Sequence, residues 1–325
     1  MTASAPLRVV AFGGGHGLAA SLRALRRCGP VLPVAITAVV TVADDGGSSG
    51  RLRAERSSLP PGDLRQALAA LAAETPETQR TAALFQHRFR PADDRGGPLD
   101  GHPVGNLVLV GLMELLGDPV SALDHAGRMV GAAGRVLPMS TRQVGIEADV
   151  RGADPRRPDA VVTVRGQHNV AVAPGHVESV RLRPSDPPAC SEAVAAVLDA
   201  DWLIFGPGSW YTSVIPHLLV PELAAAIVAS PARRLVTLNL ASETETAGLS
   251  AADHLAALRW YLPDLKVDTV LADRAAVGDP EPVNHAAESL GARLVLAPVS
   301  VADGSPRHDP SALGAALVPV LGPAR

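Results

Sequence analysis

Residues 7–27 read LRVVAFGGGHGLAASLRALRR, and the fold follows from how that stretch divides. Leu7 to Phe12 is a short apolar run ending at a glycine, as a central parallel strand does. From Leu18 to Arg27 apolar residues return at helical spacing, so the unit is β-loop-α. The connecting Gly13-Gly14-Gly15-His16-Gly17 carries one side chain in five positions. Glycine suits such a turn because φ rises above zero there and because a Cβ would keep the backbone from closing on a bulky anion. The helix that follows aims free N–H groups and its positive dipole end at the same place. A tight strand-to-helix connection is the simpler use of the same glycines.

A second loop tips the reading toward a ligand. Val34 to Val42 is another apolar, β-branched run, and it delivers Asp44 and Asp45 to its carboxyl end, followed by Gly46-Gly47-Ser48-Ser49-Gly50. Ligands of open α/β sheets gather at that edge. Two glycine loops on neighbouring strands predict a phosphate site that uses Gly13 to Gly17, Asp44, Gly46, Gly47, Ser48 and Ser49. Carboxylates beside such loops hold Mg²⁺ or bond a ribose hydroxyl. Asp45 and Asp63 are predicted to converge on one divalent ion. Asp63 follows the turn Pro60-Pro61-Gly62 and precedes the helical pattern Leu64, Leu68, Leu71, which places it as an N-cap; capping alone is its other role.

Further along, LDGHPVGN at 99–106 is a third glycine-interrupted loop ahead of a helix from about Leu107 to Leu116. His102 and Asn106 there are candidates for a phosphate or a sugar hydroxyl, against the plainer reading of His102 as a surface residue. From 141 to 183 the period changes to alternation, as in Val161-Val162-Thr163-Val164, which predicts a small antiparallel β insertion serving as a lid or a dimer surface. The βα pattern then resumes with a strand Trp202 to Phe205 and the loop Gly206-Pro207-Gly208-Ser209-Trp210-Tyr211-Thr212-Ser213. Gly208, Ser209, Tyr211 and Thr212 offer bare amides and hydroxyls for a phosphate or pyranose, or serve only as helix caps. Three more units follow: strand 234–240 with helix 251–261, strand 269–272 with a helix near 284–290, and strand 293–297. Near the end, Arg307-His308-Asp309-Pro310 supplies a guanidinium able to fork onto a phosphate at a helix start. The expected architecture is one doubly wound, mostly parallel Rossmann-like α/β domain over 1–325 with the β insertion at 141–183.

Composition excludes other classes. The chain has 325 residues, is 47% hydrophobic and carries a formal charge of −4, so it can bury a large core and lacks the basic footprint of a nucleic-acid binder. Its 2 cysteines are too few for a disulfide framework or zinc cluster, and no run is long enough for a membrane span, so a cytoplasmic protein is expected. A Walker A lysine and a His/Glu zinc spacing do not occur.

These motifs, in order, resemble the gluconeogenesis factor family, which shares its fold with the 2-phospho-L-lactate transferases of deazaflavin cofactor synthesis. The matching stretches are Gly13–Gly17, Thr41–Arg53, Leu59–Arg65, Gly101–Asn106, Gly206–Ser213 and Arg307–Asp309. The resemblance implies a cytoplasmic regulator that binds a uridine diphosphate sugar such as UDP-N-acetylglucosamine and links gluconeogenic growth to cell-wall synthesis and cell shape; Arg307 is then expected to contact the sugar or the diphosphate. It leaves open Mg²⁺ as a cofactor, a homodimer, and the alternative of a Mg²⁺-dependent transferase. His16 stands where the family usually has threonine, Trp210 where leucine is usual, and Ala241–Thr246 departs from the family's wording.

Overall fold

A computed structural model describes residues 5–91 and 97–322; the outermost residues of the expected 1–325 domain lie outside it. Seven strands make the main sheet: β1 (Leu7–Gly13), β2 (Val34–Val40), β3 (Arg135–Pro138), and, after the insertion, β7 (Trp202–Phe205), β8 (Arg233–Thr237), β9 (Thr269–Asp273) and β10 (Arg293–Ala297). The spatial order is β10-β9-β8-β7-β1-β2-β3, and every pairing is parallel. The chain moves outward from β1 to β2 and β3, then returns to the other side of β1 with β7 and moves outward again. That reversal puts the topological switch point between β1 and β7, where open α/β sheets hold their ligands. Both strands are deeply buried: Val9 to Phe12 and Trp202 to Phe205 are each at most 2% exposed. Phe12 stacks on Phe205 with ring centroids 4.8 Å apart.

The insertion is a three-stranded antiparallel sheet, with β4 (Gly145–Arg151) between β5 (Val161–Arg165) and β6 (His176–Arg183). Ile146, Ala148, Val150, Val180 and Leu182 are buried, while Glu147 on the alternate face is bridged by Arg165, Arg181 and Arg183. Among the described residues no single helix is long and apolar enough to cross a membrane.

Several boundaries differ from the sequence reading. Helix α1 spans Gly15–Cys28, so it begins inside the first glycine loop rather than at Leu18. Helix α2 (Gly47–Arg56), which the sequence reading did not place, starts inside the second loop. Helix α3 (Pro61–Leu71) starts at Pro61, whose fixed φ suits a first helical position, and Pro60 takes the cap. Asp63 therefore lies in the first turn and is not the N-cap. Strand β3, at the sheet edge, was not foreseen because four residues of Arg-Val-Leu-Pro give no period to read.

Candidate functional site

The loops after β1 and β7 touch backbone to backbone at the switch point. A Cβ on Gly17 would run into the Pro207 carbonyl and come within 2.6 Å of Gly208 Cα, so only glycine permits the approach. Gly15 adopts φ +55, which turns the chain into the first turn of α1. Ser21 Oγ donates to the Gly206 carbonyl at 2.9 Å and ties α1 to the second loop. Just past β8, Asn239 holds both backbone groups of Gly208: its Oδ1 accepts the N–H at 2.8 Å and its Nδ2 donates to the carbonyl at 3.0 Å. The cleft these loops frame has a volume of about 460 Å³ and is lined by His16, Gly17, Gly208, Asn239, Glu243 and Arg307, among others. Its floor is the start of α1, which suits an anion.

Beside the cleft lies an acidic pocket. Asp63 is 8% exposed, and its carboxyl is pushed up to about 7, first by burial and then by Asp44 nearby; the Gly15 N–H and Arg65 work in the opposite sense. A Cβ on Gly14 would stand 2.5 Å from Asp63 Oδ2, and one on Gly62 would stand 2.7 Å from Asp44 Oδ2, so glycines make room for both carboxyls. Asp44 Oδ1 also accepts the Gly46 N–H at 3.0 Å. Asp45, expected to pair with Asp63, turns the other way: its Oδ1 accepts the His168 N–H at 2.9 Å and clips the insertion's helix Gln167–Val172 to the loop. Successive residues of an extended segment point to opposite sides, which is why one of the two aspartates faces the pocket and the other the insertion. The Asp44–Asp63 pair fits a hard divalent cation, since Mg²⁺ takes one or two carboxylates and fills its remaining positions with water and phosphate. Among the described residues no cluster of three or more acidic, histidine or cysteine ligands could enclose an ion.

Ser48, His102 and Asn106 come together, but on one another. Asn106 Nδ2 donates to Ser48 Oγ at 2.9 Å, Ser48 Oγ lies 2.7 Å from His102 Nδ1, and Arg65 Nε donates to Asn106 Oδ1 at 2.9 Å. Burial, ahead of Arg51, lowers the His102 imidazole below its ordinary value. All three side chains are buried and fix the start of α2. His102 is thus not a surface residue. Ser49 Oγ accepts the Gly62 N–H at 3.0 Å and joins the second loop to α3. Gly47 adopts φ +47 with nothing near its missing Cβ.

In the third loop, Ser209 leads into a π-helical turn, Trp210–Val214, of the kind frequent at functional sites. Tyr211 and Thr212 are buried, and the Tyr211 N–H donates to Glu245 Oε1 at 2.8 Å. Burial, more than the nearby Glu243, pushes Glu245 up to about 7. Arg307 reaches the cleft wall exposed, its Nη2 on Asp303 at 2.7 Å and its Nε on Ser305 Oγ at 2.9 Å. Asp309 caps the last helix, Pro310–Leu321, accepting the Ser311 and Ala312 N–H groups at 2.8 Å each. Asn239, Glu243 and Glu245 were missed; the alternation Glu243-Thr-Glu245-Thr after a strand was the signal available.

A Rossmann-like sheet with glycine loops meeting at its switch point defines a class, and comparison with known proteins gives the class its family. The model described as 2-phospho-L-lactate transferase CofD matches residues 9–296, and the chain belongs to that family. Its relatives include proteins named gluconeogenesis factor: one from Halalkalibacterium halodurans is 38% identical over 86% of this chain and 81% of its own length, and one from Bacillus subtilis 36% identical over 89% and 84%. A Mycobacterium tuberculosis protein provisionally given the same name is 51% identical over 95% of this chain and 89% of its own. The crystal structure of a UPF0052-family protein from Bacillus halodurans superposes with a TM-score of 0.82 at 34% identity, covering 97% of this chain and 100% of that one.

Proposed function

We propose that the switch-point cleft binds a uridine diphosphate sugar, such as UDP-N-acetylglucosamine, and that the chain acts as a regulator whose occupancy reports sugar-nucleotide supply during gluconeogenic growth. In this reading the readout is cell-wall synthesis and cell shape, in the cytoplasm. The observation that carries the binding is the close approach of Gly17 to Pro207 and Gly208 at the start of α1, which puts the first turn of that helix against the cleft that Arg307 also lines. The name borne by the relatives supports the gluconeogenic setting. Binding without turnover is favoured by the state of the nucleophile candidates: Cys28 and Cys190 are buried and pushed up to about 11 by burial, and the buried His217 is driven down to about 4 by the same cause. A second reading keeps the family's transferase chemistry, because Asp44 and Asp63 would hold Mg²⁺ on the diphosphate, where the ion would neutralise a departing phosphate.

Thermal unfolding with UDP-N-acetylglucosamine, with and without Mg²⁺, tests the reading; ligand at 100 times its Kd stabilises by about 2.7 kcal/mol. Arg307→Ala is expected to weaken binding by roughly 1.5 kcal/mol, the low end for a charge-assisted bond, because Asp303 competes for the guanidinium. Mass spectrometry after incubation with acceptors, deazaflavin included, separates the two readings: intact ligand supports the regulator, and steady release of uridine mono- or diphosphate the transferase.

A further inference from the structure

The cleft is not uniformly built for an anion. At its β8 side, Ser209 Oγ donates to Glu243 Oε2 at 2.5 Å, and Glu243 lines the same cavity as Arg307 and the glycine loops. A carboxylate next to a phosphate cradle repels the very group the cradle attracts, unless it faces another part of the ligand. We propose that Ser209 and Glu243 form a corner of the cleft that reads a vicinal diol and excludes an anion from that position. The proposal rests on the reading of the cleft as a nucleoside diphosphate sugar site and assigns the part of the ligand that this wall meets.

The chemistry is specific to these two side chains. An ionised carboxyl group only accepts hydrogen bonds and has sites for several donors, so it takes two neighbouring hydroxyls at once. The Ser209 oxygen, with its proton directed to Glu243, offers lone pairs to a third. Both residues are held before any ligand arrives. Ser209 follows Gly208, which Asn239 grips at both its N–H and its carbonyl. The Glu243 N–H donates to Thr246 Oγ1 at 3.1 Å, and the Thr246 N–H returns a bond to the Glu243 carbonyl at 3.0 Å. Behind this turn the buried Glu245 adds a second carboxyl, so a ligand anion placed here would meet acidic groups rather than the glycine amides. Arg307 and the start of α1 line the same cleft. In this assignment the glycine loops and Arg307 take the anion and the Ser209–Glu243 pair takes hydroxyls, which orients the ligand.

Ribose and hexose both present vicinal hydroxyls, and three ligands tell them apart. Calorimetric titration would compare UDP-glucose, UDP-glucuronic acid and 2′-deoxy-UDP-glucose on the wild-type protein and on Glu243→Gln, with circular dichroism to show that the variant is folded. If the corner holds the hexose, the wild type prefers UDP-glucose to UDP-glucuronic acid by about ten-fold, or 1.4 kcal/mol, and Glu243→Gln erases the preference. If it holds the ribose, the 2′-deoxy compound binds about ten-fold more weakly than UDP-glucose, and the variant closes that gap instead. Unchanged affinity ratios among the three ligands in wild type and variant would overturn the proposal while leaving the cleft intact. Absence of binding by any of them to the wild type would overturn the cleft reading itself.

Discussion

Folding carries Asp63 from the ordinary carboxylate value of 3.8 to about 7, chiefly because burial penalises its charge. The unfolded chain gives up this proton first as pH rises, so the folded state is progressively disfavoured between about pH 4 and pH 7, and the loss is complete above that. Asp63→Asn removes the titrating group, and stability measured by denaturant unfolding is expected to fall less between pH 5 and pH 8 than in the wild type, by on the order of a few kcal/mol. Glu245 titrates in the same window and leaves a residual slope. Mg²⁺ at pH 8 is expected to raise the wild-type Tm and leave Asp63→Asn unchanged; equal shifts in both would assign the ion elsewhere. At Gly14 a methyl group would stand 2.5 Å from Asp63 Oδ2 and 2.6 Å from Thr41 Cγ2, so Gly14→Ala should lower stability by about 1–3 kcal/mol, as overpacking does. Most of the glycines and carboxyls of this region were legible in the sequence, because their spacing after apolar runs is local information. That Asp44 rather than Asp45 faces Asp63 was not, since it depends on where the insertion docks.

Helix starts decide what the loops present. The first glycine loop contributes its last residues to α1, and the second contributes its last residues to α2, so peptide N–H groups of both first turns stay free of intrahelical partners. Sequence periodicity read the first of these helices only from Leu18 and did not place the second, because glycine carries no hydropathy signal. Alternation made the insertion visible at once, since one face of β4 and β6 is buried and the other carries charge. The last helix is held by its cap: Asp309 closes two free N–H groups, and the helix packs on α1, where a Cβ on Gly314 would stand 2.8 Å from the Ala24 carbonyl. Asp309→Ala is expected to destabilise the protein by about 1 kcal/mol in denaturant unfolding. Because the segment before this helix carries Arg307, ligand affinity should fall along with stability; an unchanged affinity would separate the cap from the cleft.

At the scale of the whole molecule, function follows from one reversal in strand order. β1 and β7 are adjacent although the insertion and nine other described elements intervene in sequence, and their carboxyl ends bring Gly17 against Gly208. The parallel class and the loops were readable, whereas the strand order was not, because nothing local says on which side of β1 the chain resumes after the insertion. The central claim is that this junction binds a uridine diphosphate sugar through its backbone amides. Isothermal titration of UDP-N-acetylglucosamine in Mg²⁺ into the wild type and Gly17→Ala tests it most directly, with the variant's fold checked by circular dichroism. The account predicts saturable binding at one ligand per chain in the wild type and its loss in a folded Gly17→Ala; no heat of binding in the wild type, or equal affinity in the two proteins, would contradict it.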